Sequence, residues 1–191
     1  MSQAYYRCRL GLDNQHDQIT LLDGPPRLIG SIYPESDSEV RLDVDPYVAG
    51  ISKLSWENKR GTHKANFIPL DPYTLTCEEE FCSAFTEPFP DQIVKFNCGI
   101  DHKKYVSFRP KTFLDIFDYE RSGFRILPSG TPNGLKKIAL RKLPDPNLWI
   151  FGLGGHLTLR TVTIVSELFV RRYARLEATG LIFEKLGTEN S

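Results

Sequence analysis

Apolar residues along this chain fall mostly in short, partly alternating runs broken by polar and proline-containing turns, and two stretches show the wider spacing of a helix. The best-specified stretch runs from Thr158 to Phe183. Thr158 to Val165 is rich in β-branched residues and predicts a strand. Ser166 fits the N-cap of a following helix, because its hydroxyl can accept from an amide of the first turn. Glu167 places negative charge at the positive end of the helix dipole, and Val165 with Val170 has the spacing of a hydrophobic staple. Phe169, Tyr173 and Leu176 recur at helical intervals and predict one apolar face. Arg171, Arg172 and Arg175 fall largely on the other side, as a solvated face or as a patch for an anion or acidic partner. Gly180 predicts a left-handed stop, and Leu181 to Phe183 a new strand.

The rest of the chain reads mainly as strands. Tyr5 to Leu10 and Gln18 to Leu22 are the first two, followed by a turn at Asp23-Gly24-Pro25-Pro26. Glu39 to Val44 alternates as a strand with one wet face, and Pro46 ends it. Residues 45 to 75 read as irregular, apart from a short strand near Ala65 to Ile68. Thr76-Cys77-Glu78-Glu79 matches a capping box and predicts a short helix with Phe81, Cys82 and Phe85 inward, stopped by Pro88 and Pro90. Gln92 to Cys98 and Tyr105 to Phe108 predict strands joined by a turn at Gly99 to His102. Phe113 to Phe117 fits either a strand or a short helix, Gly123 to Leu127 is extended, and Pro128 to Gly134 is a loop. Leu135 to Leu143 and Leu148 to Leu153 complete the strands. These elements predict an α+β fold, with a largely antiparallel or mixed sheet, few helices and a C-terminal strand–helix–strand unit. The 191 residues suit one domain over 1–191, or one domain with a small N-terminal lobe of about residues 1–90.

Charge adds one asymmetry to this picture. Lys+Arg and Asp+Glu both number 24, and the zero balance argues against a dedicated nucleic-acid binder. Yet residues 10 to 50 hold eight acids against two bases, and residues 95 to 175 hold fifteen bases against six acids. An acidic patch of that kind can steer a basic partner, although solvation of the surface explains it equally well. The four cysteines are scattered and predict free buried thiols rather than a disulfide framework. No apolar core of signal-peptide length opens the sequence and no run is long enough to span a bilayer, so a cytoplasmic protein without a membrane partner is expected.

The candidates for chemistry are weak. Gly152-x-Gly154-Gly155 lacks the pattern of a phosphate loop, and a strand rather than a helix is expected after it. Cys77 and Cys82 could be half of a zinc site, but His63, Cys98 and His102 are only single, distant candidates for the rest. His16, His63, His102 and His156 sit in predicted loops or loop ends, and Glu78-Glu79-Glu80 reads as first-turn charge on a helix. No nucleophile elbow is present. No catalytic residue, metal ligand or cofactor is therefore assigned.

The pattern Ile164-Val165-Ser166-Glu167, Phe169, Leu176 and Thr179-Gly180-Leu181-Ile182-Phe183 resembles the ending of a family of bacterial immunity proteins from polymorphic-toxin systems. That family is also known as a domain of unknown function and is related to double-CxxCG-motif proteins. The opening Tyr5-Tyr6-Arg7 and the aromatic strand Leu148-Trp149-Ile150-Phe151 are similar to it too. The resemblance is specific over Leu148 to Leu186 and general elsewhere. The double CxxC knuckles of the related branch are absent, so it carries over no zinc.

The resemblance implies an immunity protein that binds and neutralises the effector domain of a cognate toxin. It supplies no contact residues. For a basic toxin such as a nuclease, the charge pattern offers Glu35, Asp37, Glu39, Asp43 and Asp45 as the toxin-binding segment. The alternatives are a small hydrolase whose site assembles in space and a generic adaptor protein.

Overall fold

The computed structural model describes residues 4–11, 18–21, 54–57, 65–68, 74–100, 103–128, 132–133, 137–142, 144–156, 159 and 161–187. In chain order the first elements are β1 (Tyr5–Leu10), β2 (Gln18–Leu21), β3 (Leu54–Glu57), β4 (Phe67–Ile68), β5 (Leu75–Glu78) and helix α1 (Glu79–Thr86). A hairpin of β6 (Ile93–Ile100) and β7 (Lys103–Pro110) follows, then β8 (Phe113–Leu114), β9 (Arg125–Ile126) and β10 (Pro132–Asn133). The chain ends its described part with β11 (Ile150–Leu153), β12 (Thr163–Ser166), helix α2 (Glu167–Arg175) and β13 (Leu181–Lys185). The fold is α+β, with the expected strand–helix–strand unit at its C-terminal end.

Three sheets form. One has five strands in the order β13-β1-β12-β11-β8, one has six in the order β2-β3-β6-β7-β5-β4, and β9 pairs with β10 alone. Among the described strands all pairings are antiparallel except β8 with β11 and β3 with β6. No helix among the described residues is long and apolar enough to cross a membrane.

Period-two alternation divides the five-stranded sheet into two faces. Cys8, Ile150, Val165 and Leu181 point one way, into a core shared with Phe67, Cys77, Val106 and Phe108 of the six-stranded sheet and with Phe85 and Phe169 of the helices. Tyr5, Phe151, Leu153 and Ile164 point the other way, into a second core closed by Ile116, Phe117, Phe124, Ile138 and Leu140. In the first core Phe169 lies against Phe85 at 4.9 Å and Phe89 at 5.7 Å between ring centroids, and Tyr173 against Phe183 at 4.9 Å. The Phe85–Phe169 and Tyr173–Phe183 pairs are edge-to-face, a geometry that adds about 1 kcal/mol each beyond simple burial.

Several local expectations are corrected. Thr76 to Glu78 is strand, and α1 begins only at Glu79 with no side-chain cap. Pairing of Leu75–Glu78 with β7 takes the backbone that a capping box would have used. The Thr76 hydroxyl instead shares a 2.6 Å hydrogen bond with Ser107, buried on the far face of the sheet. Phe81, Cys82 and Phe85 do turn toward the first core.

Ser166 stands at the N-cap of α2, but its hydroxyl makes no capping bond. It is also the last residue of β12, paired with Tyr5, so strand geometry fixes its side chain in the interior. The Glu167 amide donates instead to the carbonyl of Ala4, at 2.9 Å. The left-handed residue that ends α2 is Glu177, at φ 50°, rather than Gly180. The Glu177 and Ala178 amides donate back to the carbonyls of Ala174 and Tyr173, the bonding of a Schellman motif. Gly180, at φ 98°, serves a close approach, because a Cβ there would run into the Phe67 carbonyl.

The stretch 45–75, read as irregular, also contributes β3 at Leu54–Glu57. Within Leu135 to Leu143 the described residues form only isolated bridges, Phe117 with Leu140 and Ala139 with Gly187. The predicted turn at Asp23 to Pro26 and strand at Glu39 to Val44 lie outside the described residues.

Candidate functional site

Glu35, Asp37, Glu39, Asp43 and Asp45 lie outside the described residues. The three arginines of α2 are placed, and they divide. Arg171 is held by Glu167 one turn earlier, at 2.6 Å. The Arg172 side chain turns inward and donates to the Ala84 carbonyl in the last turn of α1, with Glu87 at 3.4 Å. A helix C-terminus favours a cation, and α1 has none of its own there, so Arg172 supplies it from the neighbouring helix. Arg175 stays exposed. One basic side chain of the three is thus a structural clamp, and the reading as a single solvated face is corrected for Arg172.

A different surface combines apolar exposure with a fixed frame. The chain turns tightly over Asp118 to Gly123. The Asp118 carboxylate accepts from the Arg121 amide at 2.8 Å, the Ser122 amide donates to the Asp118 carbonyl at 3.0 Å, and Gly123 takes φ 63°. Phe124 then plugs back into the second core, edge-on to Phe117 at 5.7 Å and Tyr119 at 5.6 Å, with His156 tilted against it at 5.6 Å. The buried Ser122 hydroxyl accepts from the Ala139 amide at 2.9 Å, and Arg141 reaches Asp115 at 3.0 Å. These contacts anchor residues 137–142 beneath the turn. The Tyr119 hydroxyl accepts from the His156 amide at 3.3 Å, which fixes the ring over Gly155.

From that anchored base β9 leads outward. Ile126 is 53% exposed and the adjacent Leu127 is 41% exposed, with Tyr119 at 36%. Ile126 closes β9 opposite Pro132 and Leu127 follows just beyond the strand, and both apolar side chains are left open. Glu120, Arg121 and Arg125 are exposed around it and give a rim of both signs. An apolar centre with a charged rim on a rigid base is the anatomy of a protein-binding surface. Sequence reasoning missed it, although a signal was present. An extended run before the loop at Pro128 to Gly134 implies a hairpin arm, and Ile126 with Leu127 puts two neighbouring apolar residues near its tip.

Elsewhere, the cysteines Cys8, Cys77 and Cys82 are buried and in no disulfide, as the scattered spacing predicted. Gly152 and Gly154 serve packing: a Cβ on Gly152 would strike the Phe113 ring, and one on Gly154 would crowd the Leu114 backbone. Among the described residues no group of three or more His, Cys, Asp or Glu side chains is placed to hold a metal ion. No protein-family model matches the chain, and no curated protein matches its sequence.

Proposed function

We propose that this chain is an immunity-type protein that binds and neutralises the effector domain of a bacterial toxin. The observation that carries this reading is the exposed Ile126–Leu127 pair on a hairpin whose base is fixed by Phe124, Ser122 and Asp118. A rigid apolar anchor loses little entropy on docking, which is what tight protein association needs. The resemblance of Leu148 to Leu186 to the ending of an immunity family supports the choice of a toxin as partner. The acidic segment Glu35 to Asp45 supplies charge steering toward a basic effector, while the hairpin supplies the anchor.

The test is binding and rescue with the effector domain encoded next to this gene. Ile126→Asp with Leu127→Asp should weaken binding by roughly 2 kcal/mol or more, as expected for a central anchor. The same changes should move folding stability by no more than about 0.5 kcal/mol, because both sites are exposed. Charge reversal at Asp43 and Asp45 should slow association. Full affinity in the hairpin variant removes the hairpin from the interface. Failure of the unaltered chain to bind or protect against that domain removes the immunity reading.

A further inference from the structure

The junction of β5 and α1 holds a pair of thiols. Cys77 is 0% exposed and Cys82 is 1% exposed, neither is in a disulfide, and their side chains hydrogen-bond to each other. The Cys77 contact does most to hold the Cys82 thiol below its usual range. Burial opposes it, while the Lys95 ammonium and the Thr86 hydroxyl assist and Glu79 opposes. Cys8, in the same core, is pushed up by burial alone and stays a thiol. Between the two cysteines the chain passes from β5 into the first turn of α1, which starts after Glu78 without a side-chain cap. An uncapped first turn opens at lower cost than a packed core, and its local opening is the route the proposal requires for a small oxidant.

We propose that Cys77 and Cys82 are a dithiol that a peroxide closes into a disulfide, stapling the end of β5 to α1. The Cys82 sulfur attacks one peroxide oxygen. The O–O bond breaks, water leaves with the Cys82 proton, and a sulfenic acid remains. The Cys77 sulfur then attacks that sulfur. The S–S bond forms, the S–O bond breaks, and a second water leaves with the Cys77 proton. Two electrons pass from the thiol pair to the peroxide. Thiol contact before oxidation means that closure needs little rearrangement of β5 or α1.

The experiment is peptide mapping of the reduced full chain after hydrogen peroxide, with alkylation in denaturant and cleavage after glutamate. Glu78, Glu79 and Glu80 lie between the two cysteines, so their fragments stay together only through a disulfide. The expected product joins Cys77 to Cys82, is lighter by two hydrogens, and leaves Cys8 and Cys98 alkylated. In Cys77→Ser the Cys82 sulfenic acid should persist and be trapped by dimedone. Recovery of Cys77 and Cys82 unjoined, whether alkylated or over-oxidised, overturns the proposal, as does a bridge to Cys8 or Cys98. The mapping of the unaltered chain decides the matter even if the variant does not fold.

Discussion

The two faces of the five-stranded sheet are covered by different means. On one, α1, α2 and the six-stranded sheet meet in a core crowded with rings, where Phe67, Phe85, Phe89 and Phe169 are all at most 1% exposed. On the other, the cover is a turn, two isolated bridges and the segment 137–142, held by Ser122, Arg141 and the plug of Phe124. Regular elements satisfy their own backbone and leave side chains to do the packing. Irregular cover needs side chains for its hydrogen bonds as well. What it gains is the freedom to carry an apolar hairpin outward, and the candidate binding surface lies on that side.

This contrast is breakable. Phe169→Ala should give the largest loss, about 4 kcal/mol, since it removes a fully enclosed ring that touches both helices. Phe124→Ala should cost about 3 kcal/mol. Its signature should differ: hydrogen exchange in 118–126 should accelerate ahead of exchange in β1 and β12. Denaturant unfolding and exchange on both variants check this. Equal acceleration everywhere in Phe124→Ala would show that the two covers unfold as one.

A smaller effect tests the seam between the sheets. Gly180→Ala should destabilise by roughly 2 kcal/mol, through positive φ and a clash with Phe67 of the other sheet. Thermal unfolding reads it, and an unchanged midpoint would mean that β4 does not hold β13 in place.

The smallest concerns Glu167. The Arg171 hydrogen bond, reinforced by its charge, holds this carboxyl below the usual carboxylate range. A depressed folded value gives stability that is present above the unfolded carboxylate range and is lost as pH falls through the folded value. Glu167→Gln should therefore lower the melting temperature slightly at neutral pH and flatten its decline toward acid. An unchanged acid limb would show the pair to be idle.

Sequence reading succeeded where a segment carries its own instructions. The β1 strand Tyr5–Leu10, the inward face of α1 and the α2–β13 unit all follow from local spacing. It failed where a distant partner decides. Thr76 looks like a cap until β7 arrives beside it, and the Ser166 hydroxyl looks like one until β1 buries it. Arg172 reads as a surface cation because nothing near it in sequence reveals the carbonyl of Ala84. Ile126 and Leu127 are apolar by composition and would be assigned to a core, yet both are exposed at a ribbon that has two strands among the described residues. For the candidate site, the sequence identified the extended arm but not its exposure, and Pro132 and Asn133, read as loop, pair with that arm as β10.

The position of β1 between β12 and β13 has a consequence for how the molecule is made. Tyr5 must wait for Ser166, and Leu10 for Leu181, so β1 is completed only when strands far downstream of it have left the ribosome. Until those strands emerge, Tyr6, Cys8 and Leu10 lack the neighbours they have in this sheet, a long-range closure that slows folding and leaves sticky side chains open to other nascent chains. Moving that strand by circular permutation to follow β13 should shorten the wait and raise the yield of folded protein.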